Sequence, residues 1–424
     1  MDQLKLLNFH KMLSNFANKL VGAFIALIIY QSTNSIALAV TYWVASEALR
    51  MIITLCIKNL YGKYPQLFLL IRIIPMTLYN IFIFVIDYNP AVGIVFVGIF
   101  SAFDWALNTL SREIIFNYSS LSKKNGNSSI GITRLFEQIG TIVALLVGGY
   151  LLDINKTLVL ILSLTIYGIS VIPLIMFYVK SRKQKTFNKD ATSNAMDTLT
   201  KDEELKKESK SLTKKMLLTY FIVYFGFAFV DLLQSTYSLL MFTKQGEFAT
   251  AGIINAVFNT FYALGFYVAG IVNEKYDITK FITISAILIG LLTIALPFIP
   301  TNLFILISID FGLIAFLYTF ISLFVLDRML LKSRIMGCSN KALYMRETGC
   351  VTAYIVGYSF GFLGLISIFV VTGITMIASA FIIPASEEKT RQHLVDYLQN
   401  NEKMNNSTTP KSRAKRIASA QGKK

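Results

Sequence analysis

Apolar residues in this chain run in blocks rather than in alternation, and the blocks have the length of a membrane crossing. A spanning helix takes about 20 predominantly apolar residues. Six such blocks fill the first half: Leu13–Tyr30, Ile36–Ile57, Leu67–Ile86, Ala91–Ile115, Ile132–Leu152 and Leu158–Val179. Six more follow: Met216–Phe242, Ala249–Val272, Phe281–Ile299, Leu303–Leu326, Tyr344–Phe362 and Leu365–Ile383. Only a short turn around Gly361 and Gly364 separates the last two. The longest polar interval, Lys180–Lys215, divides the two sets. It opens KSRKQKTFNKD and continues through KDEELKKESK. So little apolar surface cannot offset the entropy of ordering, which predicts a disordered or frayed linker. The expected fold is an all-α integral membrane protein of twelve transmembrane helices in two six-helix bundles. The bundles fall at residues 1–179 and 216–384, with the linker at 180–215 and a basic tail at 385–424.

Composition agrees. Hydrophobic residues make up 54% of the 424 and charged residues 15%, with a mean hydropathy of +0.58. A soluble domain carries about 25% charged residues. A net charge of +16 invites a nucleic-acid partner. The basic residues, however, sit between the apolar blocks and in the tail, as they do when charge sets membrane orientation, and no nucleic acid is expected. If the N-terminus is inside, the outward loops hold only Lys156 and Lys244 as basic residues. Inward segments hold Lys58, Lys63, Lys123, Lys124, the central cluster, Lys332, Arg334 and the tail. Both termini and the linker are therefore expected in the cytoplasm, with the chain in a bacterial plasma membrane. Cys56, Cys338 and Cys350 lack metal-ligand spacing and read as free thiols. The first apolar block has no cleavage site after it and reads as a retained helix.

The halves also read as repeats. A shift of 215 residues lays Asn59 on Glu274, Leu60 on Lys275, and Arg112-Glu113 on Asp327-Arg328. With a slightly shorter loop, Gly140, Ala144 and Gly148 match Gly349, Ala353 and Gly357. Parallel duplication of a six-helix unit is a transporter architecture.

At these positions the sequence resembles the major facilitator superfamily over nearly its whole length. The family's signature between the second and third helices reads roughly G-x-x-x-D-R-x-G-R-K. Gly270, Glu274 and Lys275 follow it in the second half, with Asp277 in place of the inner glycine. The first-half copy keeps Gly62 and Lys63 but has Leu55, Asn59 and Leu60 at the first glycine, the acid and the arginine. Gly140, Gly148 and Gly149 resemble the family's antiporter signature in the fifth helix, with Ala144 and Leu145 at its Gly-Pro. Small residues every fourth position also let helices approach closely, so plain packing is the competing explanation. The resemblance implies a secondary transporter working by alternating access, with no cofactor.

Ionisable groups at membrane depth are costly, so each is a candidate for function. Ser101, Asp104, Asn108 and Ser111 recur at helical spacing on the fourth block. They line a cavity, or else Asp104 bonds a neighbouring helix. Tyr224, Asp231, Gln234 and Ser238 form a similar face on the seventh block, and Asn255, Asn259 and Tyr262 on the eighth. A carboxylate at this depth is suited to take up and release a proton as its exposure changes, and Asp104 and Asp231 are the candidates. Glu47 and Arg50, one turn apart, form an internal ion pair or a substrate-binding pair. Asp310, among apolar neighbours, reads as structural or solvated.

Arg112, Glu113, Arg134 and Glu137 cluster at the linker-side ends of the fourth and fifth blocks. Asp327, Arg328, Arg346 and Glu347 repeat the cluster on the tenth and eleventh. Such charges bridge helices when that side closes and part when it opens, so they are expected to be gates. The two histidines lie in terminal segments, and no nucleophile–base pair or phosphate-cradling glycine loop is present, so enzymatic and ATP-driven functions are not expected. The expected function is proton-coupled transport of a small organic solute, leaning to efflux and carried out by a monomer amid membrane lipids. Uptake of a sugar or peptide is the alternative within transport. A receptor or assembly protein on the same scaffold is the alternative outside it.

Overall fold

The computed structural model describes residues 3–61, 63–120, 126–183, 203–275, 279–336 and 338–408. The described residues are almost wholly helical. The first half comprises α1 (Gln3–Gly22), α2 (Ile25–Thr33), α3 (Ile36–Ile57), α4 (Pro65–Ile71), α5 (Ile73–Tyr88), α6 (Pro90–Ser120), α7 (Gly126–Ile154) and α8 (Lys156–Lys183). The second comprises α9 (Glu203–Phe227), α10 (Leu232–Gln245), α11 (Phe248–Lys275), α12 (Thr279–Ala295), α13 (Phe304–Ile335), α14 (Ser339–Ser359) and α15 (Leu365–Thr408). Three pairs (α1 with α2, α4 with α5, α9 with α10) are single passes interrupted midway, so the described residues make twelve passes.

Ten of these passes are long and apolar enough to cross a membrane. The other two are α7, whose apolar part is Gln138–Ile154, and the more polar 21-residue α14. Local chemistry places the ends. Asn34 closes α2 in the left-handed conformation (φ 51°), and the Ser35 side chain accepts the Leu38 amide to start α3. The break between α4 and α5 falls at Arg72, one turn before Pro75, whose ring nitrogen cannot donate to the Ile71 carbonyl. A short 3-10 turn, Ala228–Asp231, interrupts the seventh pass at Asp231. A 3-10 stretch inside a long helix often marks a functional hinge or local strain.

Packing repeats between the halves. α1 lies on α7 and α8 as α9 lies on α14 and α15; α3 lies on α6 as α11 lies on α13. The glycines follow the same symmetry. A Cβ on Gly140 would stand 2.9 Å from the Met12 carbonyl oxygen of α1, and one on Gly349 would stand 2.8 Å from the Phe221 oxygen of α9. Across the halves, α3 packs on α14 and α7 on α11.

The described ends of the polar middle are helical: Lys180–Lys183 finish α8, and Glu203–Lys215 open α9. Residues 184–202 and 409–424 lie outside the described residues. The tail from residue 385 continues α15 as helix to Thr408, past Pro384. Lys332 of α13 holds it there, donating to Thr390 Oγ1 at 2.7 Å and pairing with Glu387 at 2.8 Å.

Candidate functional site

Trp43, Glu47 and Arg50 are spaced to share one face of α3, and Glu347, Tyr354 and Tyr358 one face of α14. These faces meet between the halves. Arg50 Nη1 donates to Glu47 at 3.0 Å within its own half, and Arg50 Nη2 donates to Glu347 in the other. All three lie low in exposure, at 5% for Arg50 and 3% for Glu347. The Arg50 guanidinium also stands over the Trp105 ring at 5.2 Å and the Tyr354 ring at 5.9 Å. Tyr354 donates its hydroxyl to Asp231 at 2.7 Å, at the break in the seventh pass. One turn further along α14, Tyr358 stacks on Trp43 at 4.7 Å and bonds Ser235 at 2.8 Å.

These groups border a cavity of about 450 Å³ between the halves. Six of the seven pathway residues expected from sequence line it: Glu47, Asn108, Asp231, Gln234, Asn255 and Asn259. Asp104 does not. It pairs with Arg72, Nε to Oδ1 at 2.5 Å and Nη2 to Oδ2 at 3.5 Å, with both residues 3% exposed. This corrects the cavity reading of Asp104 in favour of a bond to a neighbouring helix. The reason is angular: at 100° per residue, Asp104 lies roughly 60° round α6 from Ser101. Ser101, Trp105 and Asn108 face the cavity, while Asp104 faces α4. Asp310 is 7% exposed, with Oδ2 unbonded among the described residues.

Of the expected gate residues, Arg112, Arg346 and Glu347 line the cavity. Glu347 pairs across the halves with Arg50. Arg346 stands over Tyr224 at 6.0 Å, and Arg328 over Phe324 at 5.4 Å within α13. Asp327 lies beside Arg328 on α13, Gly270 is buried on α11, and Lys63 is exposed in the loop after α3. Gly62 and the side chains of Glu113, Arg134, Glu137, Glu274 and Lys275 lie outside the described residues.

Three residues at these contacts escaped sequence reading. Arg72 is a single cation inside an apolar block, and the proline after it is its only signal. Lys19 lines the cavity from α1. Asp153, at the end of α7, accepts the Phe248 and Ala249 amides at 3.0 and 2.8 Å, thereby capping α11 of the opposite half. This contact lies at the end of the molecule away from the linker. There the halves also meet through Tyr30 with Phe242, Phe24 with Phe248, and α7 with α11 backbone to backbone. A Cβ on Gly149 would stand 2.7 Å from the Phe248 oxygen, and one on Gly252 would stand 2.5 Å from the Leu145 oxygen. The glycines of the fifth pass thus serve packing against α1 and α11.

Solved structures share this architecture. A bacterial homologue of the iron transporter ferroportin, in an outward-facing state, superposes with a TM-score of 0.58 at 10% identity over 95% of this chain and 100% of its own. The proton:xylose symporter XylE, bound to 6-bromo-6-deoxy-D-glucose, gives 0.63 at 10% identity over 89% and 94%. FucP, in the outward conformation, gives 0.60 at 12% identity over 90% and 98%. At these identities the likeness is one of fold. No curated protein sequence matches the chain. The model of the Major Facilitator Superfamily matches residues 9–345, most of the chain. The chain is a multi-pass membrane protein of the Major Facilitator Superfamily, a family of secondary transporters.

Proposed function

We propose that the protein takes up a small polar solute together with a proton, exposing its central cavity to one face of the membrane at a time. One observation carries the reading: charged and amide groups from both halves converge on a single cavity, which the far-end contacts close on one side. Among the described residues, seven amides and seven charged side chains line it, against three phenylalanines, six tyrosines and two tryptophans. The amide and charged groups outnumber the aromatic ones, and the tyrosine hydroxyls also hydrogen-bond, so the wall suits a solute that hydrogen-bonds. The glycines that resemble an antiporter signature are engaged in packing, so they carry no weight for efflux. The direction proposed is therefore uptake, the alternative in the sequence reading.

Asp231 is the group we assign to the proton. It sits at the helix break, bonds a tyrosine rather than a cation, and faces the cavity. Loop charge supports a cytoplasmic linker and cytoplasmic termini in a cell-membrane protein. The far end, with its Asp153 and aromatic contacts, is then the outer gate, closed in this conformation.

Reconstituted flux tests the proposal. Proteoliposomes should accumulate solute when the interior is made alkaline, and Asp231→Asn should abolish that accumulation. Accumulation by Asp231→Asn equal to the parent protein would remove Asp231 from the proton path. Flux indifferent to the pH gradient would remove proton coupling altogether.

A further inference from the structure

Lys19 lines the cavity and makes neither a hydrogen bond nor an ion pair with a described residue. It projects from α1, opposite Asp231 of the equivalent pass in the other half. The two interact electrostatically without closing into an ion pair. An ammonium drawn away from bulk water without a counter-ion costs several kcal/mol. An arrangement that leaves one so placed, beside a cavity, is built to receive an anion.

The rest of the wall agrees. Lys19, Arg50, Arg112 and Arg346 stand against Glu47, Asp231 and Glu347, an excess of one positive charge among the lining side chains. Arg50 is engaged by two carboxylates, so the excess does not reside there. Two buried polar atoms on the wall also lack hydrogen-bond partners among the described residues: Gln234 Nε2, a donor one turn from Asp231, and Asn255 Oδ1, an acceptor on a side chain 1% exposed. A carboxylate can take the first, and a hydroxyl or N–H can satisfy the second.

Resting on the transport reading above, we infer that the solute is a small organic anion carrying a hydrogen-bond donor. Its anionic group seats on Lys19 and Gln234, and its donor bonds Asn255. This links solute to proton by charge. While Asp231 is ionised it partly compensates Lys19; when a proton neutralises it, Lys19 is left for the anion. Asp231 faces Lys19 of α1, Arg50 of α3, Tyr318 of α13, and Arg346, Cys350, Tyr354 and Tyr358 of α14. Arg50 is already bonded to Glu47 and Glu347, whereas Lys19 has no direct bond to a described residue, so a proton on Asp231 would release Lys19.

The experiment uses the full-length protein in proteoliposomes with labelled lactate, gluconate and citrate, set against glucose, glycine and choline. At least one of the three anions should enter, at least ten-fold faster with the interior alkaline. Lys19→Gln should lower that entry ten-fold or more, and Lys19→Arg should restore most of it. Thermal melting of each purified variant shows that it is folded. If Lys19→Gln does not assemble, the pair Gln234→Leu with Asn255→Leu removes the other two anchors, and unchanged anion entry there overturns the seat. Saturable entry of glucose, glycine or choline without any anion overturns the inference and leaves the transport reading standing. Anion entry undiminished in folded Lys19→Gln overturns the role of Lys19. If no solute of either set moves, the transport reading falls, and this inference falls with it.

Discussion

The Arg72–Asp104 pair provides a test that separates structural charge from working charge. Both residues are 3% exposed, and both belong to the first half, on the third and fourth passes. Replacing one member of a buried pair strands the other, at a cost of about 3–5 kcal/mol. A domain's whole stability is roughly 5–15 kcal/mol, so Asp104→Ala should leave the protein marginal or unfolded. Replacing both with apolar residues of similar size removes two desolvated charges at once, which is neutral or stabilising in comparable pairs. Arg72→Met combined with Asp104→Leu should therefore recover most of what Asp104→Ala loses. The assay is thermal or denaturant unfolding in detergent, with pH-driven flux measured on each variant that folds. Two results would refute the reasoning. If the double variant were destabilised by the sum of the single ones, the residues would not act as a pair. If Asp104→Asn kept its stability but lost coupling to the pH gradient, Asp104 would be the proton carrier and the assignment to Asp231 would fail.

Three further outcomes are expected. Glu347→Gln removes the charge that joins α14 to Arg50, so spin labels near the linker-side ends of α3 and α14 should show a longer mean distance; an unchanged distribution would deny the pair any gating role. Asp153→Ala deletes the cap that the first half places on α11, worth about 1 kcal/mol. That is about a five-fold shift toward the state open at the far end, read by thiol labelling of a cysteine introduced at Phe242, and unaltered labelling would contradict it. Gly149→Leu inserts a side chain where α7 and α11 touch, with a Cβ only 2.7 Å from the Phe248 oxygen. It should hold the far end apart and raise the same labelling, whereas parental labelling would show that the two helices are not close-packed in the membrane.

Much of the architecture was legible because a bilayer imposes length and polarity on each pass. The block Ile36–Ile57 coincides with α3 to the residue, since Ser35 caps one end and Lys58 follows the other. The duplicated landmarks carried over as well: glycines 209 residues apart, Gly140 and Gly349, pack against equivalent helices. The site was legible only where a residue's face decides its role. Glu47, Asn108, Asp231 and Gln234 share faces that turn to the cavity. Asp104 was misplaced because a polar stripe of four residues covers a wide arc, and its two edges meet different neighbours. The partner of Glu347 was hidden for another reason. Arg50 stands 297 residues away, and no local spacing reports a contact between helices of different halves. Lys19 and Arg72 look alike in sequence, each a lone cation in an apolar block. What separates them is whether a nearby carboxylate closes into an ion pair, as Asp104 does with Arg72, which only the packed structure decides.

The distribution of these pairs across the halves distinguishes what moves from what holds. Arg72 and Asp104 travel together in any motion of one half against the other, so their bond costs nothing to the transition and can be strong. Arg50 and Glu347 belong to different halves and must part if the linker side opens. Arg50 has Glu47 beside it in its own half, so parting leaves it neutralised, and only Glu347 must find water in the widening cavity. That lowers the cost of opening without removing the bond. At the far end, the cap from Asp153 is worth about 1 kcal/mol. The aromatic pairs Tyr30–Phe242, Phe24–Phe248 and Trp43–Tyr358 each add about 0.5–1.5 kcal/mol. Together they amount to a few kcal/mol, the order of the ~5.5 kcal/mol of differential binding that reverses a 1:99 equilibrium. Under the proposed function, a proton on Asp231 and a solute in the cavity would act on the same middle layer that joins the two proposed gates, through Tyr354 to Arg50 on one side and through Ser235 and Tyr358 to Trp43 on the other. Occupancy of that layer is therefore positioned to bias both gates at once, in a way that neither Arg72 nor Asp104 can.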